Sequence, residues 1–169
     1  MATTFTLIKT VTVGSGGASS IDFTAIPATF TDLCLKVSAR TGDATTQLSL
    51  YLSFNGSATS KSDKYLIGNG SATASGGGAL NRVTWGLNGG STTASTFGNS
   101  EVYIPSYLSS NYKSYSADGV LENNATAAGA GLTAGLWSNT AAINQITVTP
   151  ESGSFVQYSS ASLYGILKA

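Results

Sequence analysis

Gln47-Leu48-Ser49-Leu50-Tyr51-Leu52-Ser53-Phe54-Asn55-Gly56 is the stretch that decides the fold. Leu48, Leu50, Leu52 and Phe54 alternate with Ser49, Tyr51 and Ser53. Successive side chains of a strand point to opposite faces, so a period of two makes one face apolar and predicts a half-buried β-strand. Asn55-Gly56 follows at once. Both residues tolerate a positive φ, which marks a tight turn.

The same alternation recurs on either side. Upstream, Phe5, Leu7, Val11 and Val13 share one parity against Thr6, Thr10 and Thr12, and Gly14 to Gly17 ends the run. Ile21 and Phe23 predict a short strand that stops near Ile26-Pro27, because proline brings no N–H to a ladder. In the next run Leu33, Leu35, Val37 and Ala39 point inward, with Lys36, Ser38 and Arg40 outward.

Downstream, Tyr65 to Ile67 reads as a short strand, and Gly68 to Gly78 as a long exposed loop, being rich in Gly, Ser and Ala. Val83, Trp85 and Leu87 resume the alternation, which places Trp85 in the core. Strands are then predicted over Glu101 to Ile104, cut short by Pro105, and over Lys113 to Leu121. Leu132, Ala134 and Leu136 form the next run, followed by Ile146 and Val148 up to Pro150 and by Ser160 to Leu167. The Ala-rich stretch Asn123 to Gly131 is the one place with room for a helical turn, which Gly129 and Gly131 disfavour. Together these runs predict an all-β chain, an antiparallel β-sandwich or jelly-roll-like single domain over 1–169 with about ten short strands.

Composition narrows the chemistry. The 169 residues include no His, and charged residues make up 9% of the chain, with eight Lys plus Arg against eight Asp plus Glu. Imidazole is the side chain suited to proton transfer near neutral pH, so most familiar active sites and zinc sites lose their central group. A net charge of zero offers no basic stripe for phosphates, which disfavours nucleic acid as a partner. It also leaves copies of the chain with little mutual repulsion and favours a defined oligomer or a role within a larger assembly. No apolar run approaches the ~18 residues of a membrane span, and the first residues lack the pattern of a secretory signal, so the expectation is a chain made and folded in a cytoplasm. The single Cys34 reads as a packing group.

The acids Asp22, Asp32, Asp43, Asp63, Glu101, Asp118, Glu122 and Glu151 are scattered singly, as turn caps and solvated groups are. They show neither the D-x-D-x-D spacing of a calcium loop nor the flanking signature of a glycosidase pair. Gly76-Gly77-Gly78 lacks the Lys-Ser/Thr pair of a phosphate loop. The expectation is therefore a protein that is no enzyme, with no cofactor and no metal. Tyrosine is the one side chain that clusters, as Tyr103, Tyr107, Tyr112 and Tyr115 around Pro105. Tyr103 and Tyr115 read as cover for sheet faces, whereas Tyr107 and Tyr112, in a loop, are candidates to contact a partner protein or a glycan. Trp137 has the parity opposite to Leu132 and Leu136. Two readings stay open: an outward ring meeting a partner, or a strand buried on both faces.

Several longer phrases are suggestive. Thr4 to Lys9, Ile21-Asp22-Phe23-Thr24-Ala25-Ile26-Pro27, Thr31-Asp32-Leu33, Glu101 to Tyr107, Leu136 to Ile143 and above all Phe155-Val156-Gln157-Tyr158-Ser159-Ser160-Ala161-Ser162-Leu163-Tyr164-Gly165-Ile166 together span most of the chain. In them the chain resembles small structural proteins of tailed bacteriophages, especially those of aquatic bacteria and cyanobacteria. The resemblance implies a β-sandwich that forms a homotrimer. It would serve as a cement (decoration) protein bound to the major capsid protein on the outer surface of the virion and stabilising the shell. The alternative it implies is the distal receptor- or carbohydrate-binding module of a tailspike or fibre, which would bind a host surface glycan. It assigns no catalytic or binding residue.

Overall fold

The computed structural model describes residues 4–57, 59–124 and 128–167. Among them are twelve strands and no helix. In chain order the strands are β1 (Phe5–Thr12), β2 (Ile21–Phe23), β3 (Asp32–Ala39), β4 (Gln47–Phe54), β5 (Lys61–Gly68), β6 (Thr73–Gly78), β7 (Arg82–Asn88), β8 (Gly98–Ile104), β9 (Lys113–Glu122), β10 (Ala128–Trp137), β11 (Ile146–Pro150) and β12 (Ser160–Ile166). They form two antiparallel sheets, the larger in the order β1-β12-β3-β8-β9-β10-β5-β6 and the smaller in the order β2-β11-β4-β7. This is the β-sandwich that the alternation predicts.

The core is the sum of the inward parities. Leu33, Leu35, Val37, Val102, Ile104 and Leu163 of the larger sheet meet Leu50, Leu52, Phe54, Val83, Ile146 and Val148 of the smaller, all buried. β4 behaves as its sequence says, and Asn55 and Gly56 take φ values of 52° and 68°. The turn does not close a hairpin, however. It carries the chain from β4 in the smaller sheet to β5 in the larger one. Asn55 anchors this crossing: its Oδ1 accepts from the backbone N–H of Asn144 (2.9 Å) and Gln145 (3.1 Å), and its Nδ2 donates to the Ala142 carbonyl (2.7 Å).

Three local expectations are overturned, each for a backbone reason. In β1 the pairing with β12 slips between Leu7 and Lys9, so the parity reverses mid-strand. Phe5 and Leu7 are left exposed while Ile8 and Val11 turn to the core. In β7 the residues Thr84 to Gly86 face a single residue of β4, since Leu48 pairs with Leu87 and Leu50 with Val83. Trp85 sits in that bulge at a φ of 52° and is half-buried, not in the core. The supposed loop from Gly68 to Gly78 is a turn followed by β6, which pairs with β5 from Asp63↔Gly78 to Gly68↔Thr73. Ala128 onward is extended as β10, while residues 125–127 of the stretch read as a possible helical turn lie outside the described residues.

Glycine supplies the space for this packing. A Cβ on Gly119 would fall 2.3 Å from the Thr84 carbonyl oxygen, and one on Gly131 would fall 2.7 Å from the same atom. The β7 bulge therefore rests almost backbone to backbone on β9 and β10. Elsewhere a ring covers the missing side chain: Tyr65 lies over its cross-strand partner Gly76, Tyr115 over Gly135, Trp85 over Gly129 and Phe30 over Gly165. A cross-strand aromatic restores the contact that glycine forfeits in a strand.

Candidate functional site

The outer face of the larger sheet, turned away from the core, holds an open concavity. Across its middle run the successive cross-strand partners Glu101 on β8, Asp118 on β9, Leu132 on β10, Leu66 on β5 and Ser75 on β6. The next row on one side is Tyr103, Ser116, Ala134, Lys64 and Gly77, and on the other side Asn99, Val120, Ala130, Gly68 and Thr73. Gly77, Gly68 and Ser75 leave the β6 side low beside the two leucines. The result is an open trough of ≈ 770 Å³ over Lys64, Leu66, Gly77, Leu132 and Ala134, continued by a second of ≈ 360 Å³ toward Thr73, Val120 and Ala130.

Its floor is apolar and accessible. Leu132 is 62% exposed, Leu66 61% and Val120 42%. Covering a leucine that is more than half exposed contributes about 1–2 kcal/mol, taking ~1.5–3 kcal/mol for a fully exposed one. With Leu66, Leu132 and Val120 side by side, contact with another apolar surface is favourable here. A smaller apolar group, Phe5 and Leu7 beside Tyr164, sits at the far β1 edge of the same sheet, with the Phe5 and Tyr164 rings 6.4 Å apart.

Charge frames the trough unevenly. Glu101 is paired with Lys36 at 2.8 Å, and its hydrogen bond holds the Lys36 ammonium above the usual lysine range. Asp118, next to it, makes no ion pair among the described residues. Its carboxyl is pushed up by partial burial and by the charge of Glu101. On the opposite side Lys64 has no acidic partner among the described residues, and its stem lies across Gly77, where a Cβ would meet Cδ at 2.6 Å and Nζ at 3.0 Å.

Other acids are absorbed by the scaffold, as their scatter suggests. Asp22 accepts from Ser20 and Thr147, each at 2.6 Å, Asp32 from the Tyr103 hydroxyl (2.7 Å) and the Ser106 N–H (2.8 Å), and Asp43 from Ser152 (2.7 Å). Asp63 accepts from the Leu80 N–H, Glu122 from the Asn124 N–H and Glu151 from the Ser49 N–H. Cys34 is buried between the cross-strand tyrosines Tyr103 and Tyr164. Burial, and after it the charge of Glu101, pushes its thiol up to about 11, which suits a packing group.

The contact candidates fare differently. Tyr107 is fully buried, its hydroxyl donating to the Pro27 carbonyl while its own carbonyl accepts from the Ile143 N–H. The turn at Ser106, with a φ of 49°, tucks it under the sheets. Trp137 is also core, packed 5.6 Å from the Phe54 ring, with the Lys113 ammonium 5.8 Å from its ring centre. Both are therefore withdrawn from the set of surface contacts. Of the three only Tyr112 faces solvent, at 60% exposure.

The parity of β10 explains what the sequence reading missed. Gly131, Thr133, Gly135 and Trp137 face inward and Leu132 and Ala134 outward, the reverse of the apolar expectation. A signal was present, since the glycines at alternate positions mark the side on which another backbone or ring packs closely.

The chain matches no protein family and no curated protein. What it does is to be sought in this face and in its composition. The trough brings together leucines, alanines and hydroxyls, with Asp118 on one flank and Lys64 on the other.

Proposed function

We propose that this protein is a structural component of a phage virion: a homotrimeric cement protein that binds the outer surface of the capsid and stabilises the shell. The observation that carries the reading is the exposed Leu66 and Leu132 stripe on a chain with few charges. Such a stripe fits a protein whose work is contact with protein. The phage-like phrases running from Thr4 to Ile166 add the setting.

Under this reading no chemistry is required. A protein that binds the expanded shell and not its dissociated subunits lowers the free energy of the assembled state by mass action. A symmetric oligomer multiplies modest contacts into lasting attachment. The His-free composition is consistent with a role without catalysis.

The test is the mass of the purified protein by light scattering, followed by co-sedimentation with expanded, undecorated capsids. A trimer that pellets with capsids supports the proposal. A trimer that ignores capsids but binds host cells or a glycan array moves the assignment to a receptor-binding module, for which Tyr112 is the remaining aromatic candidate. A protein that does neither sinks both.

A further inference from the structure

We infer that the Leu66–Leu132 face is where copies of this chain meet one another, the Lys64 side of one copy lying against the Asp118 side of the next. This deepens the self-association in the function proposed above and rests on it.

Three observations point to a second copy as the occupant. The first is the distribution of charge. Asp118 and Lys64 have opposite signs and no ion pair among the described residues, and they stand on either side of the leucines, on β9 and β5. Strands lie ~4.8 Å apart, so the two residues are separated by roughly 10 Å across the sheet, with a register step besides. The Lys64 stem runs over Gly77, away from β9, which carries its ammonium toward the β6 edge. The two charges therefore do not pair within one copy, whereas each can meet its opposite on a neighbour.

The second is handedness. The acid lies on one flank and the base on the other, so the face is complementary to itself when its β5 flank abuts the β9 flank of the next copy. A ring of three satisfies this at every joint and leaves no flank unmatched, with the leucines gathered at the axis. A ligand of a single charge would satisfy only one flank.

The third is the lack of any opposing field. The chain has no net charge and only 9% charged residues. Copies approach without the long-range repulsion that keeps most small domains apart.

The experiment measures mass by light scattering across micromolar concentrations for the full chain and for variants on exposed positions, each checked by circular dichroism for an unchanged fold. Leu132→Asp is expected to give monomer, and Leu7→Asp, on the same sheet but outside the trough, to keep the wild-type mass. Lys64→Asp and Asp118→Lys are each expected to weaken association about tenfold, and the double swap to restore most of it. An oligomeric wild type whose mass survives Leu132→Asp overturns this inference and leaves the proposed trimer standing. So does a swap that fails to rescue. A monomeric wild type overturns self-association altogether. If that monomer still pellets with capsids and Leu132→Asp abolishes the pelleting, the face belongs to the capsid and not to a second copy.

Discussion

Tyr115 on β9 lies flat across its cross-strand partner Gly135 on β10, so closely that a Cβ on the glycine would sit 1.9 Å from the ring Cζ. The ring cannot swing aside, because its hydroxyl donates to the Arg82 carbonyl at 3.1 Å and Phe54 packs edge-on 6.1 Å away. Gly135→Ala is therefore expected to overpack the core and destabilise the fold by about 1–3 kcal/mol. The midpoint of urea unfolding measures this, and an unchanged midpoint would show that the ring is free to move.

Lys113 is a buried cation with no carboxylate partner among the described residues. Its ammonium donates to the carbonyls of Asn111 (2.8 Å) and Asn139 (3.3 Å) and lies beside the Trp137 ring. Burial holds its pKa below the usual lysine range. Lys113→Met keeps the stem but strands two acceptors, and a loss of about 1–3 kcal/mol is expected. Chemical denaturation of the two proteins decides it, since a more stable variant would mean that desolvating the charge outweighs its two bonds.

Asn55 combines a left-handed turn with three side-chain hydrogen bonds to the segment entering β11. Asn55→Gly relieves the backbone and loses the bonds, while Asn55→Ala loses both advantages. The expected order of thermal stability is Asn, then Gly, then Ala, with Ala lower than Asn by about 2 kcal/mol. Equal melting of the Gly and Ala variants would remove the left-handed backbone from the explanation.

Cys34 gives a pH signature. Its thiol is raised from an ordinary 9.0 to about 11, chiefly by burial. A group whose folded pKa is raised holds its proton more tightly in the native state. Its contribution to stability is full below about 9 and is lost as pH climbs through about 11. The stability gap between wild type and Cys34→Ala should therefore narrow over that window, and native Cys34 should resist alkylation at pH 8. Rapid labelling of the folded protein at pH 8 would contradict the burial.

Much of the sandwich was legible because period-two alternation is a local property: β3 and β4 appear with the inward residues their sequences predict, and β2 buries Ile21 and Phe23 although it ends at Phe23, before Ile26-Pro27. What alternation does not contain is register and sheet membership. The Asn55-Gly56 turn was visible, but not that it leads across the sandwich. The inward parity of β1 was legible at Val11 and Val13, but a bulge that no residue type announces reverses it before them and leaves Phe5 and Leu7 outward. β6 was hidden because Thr-Ala-Ser-Gly-Gly-Gly has no apolar face of its own. Its place in the sheet comes from pairing with β5 and from the Tyr65 and Lys64 side chains laid across its glycines.

The sequence by itself determined the class of fold and the absence of imidazole, since strand periodicity and residue types are both written residue by residue. Only the tertiary structure decided which face of β10 looks outward. Leu132 and Trp137 are both large and apolar and stand on opposite faces of one strand. The contest between them is settled by which side the smaller sheet covers, where Phe54 packs on Trp137 and the β7 bulge presses on Gly131, leaving Leu132 on the exposed face.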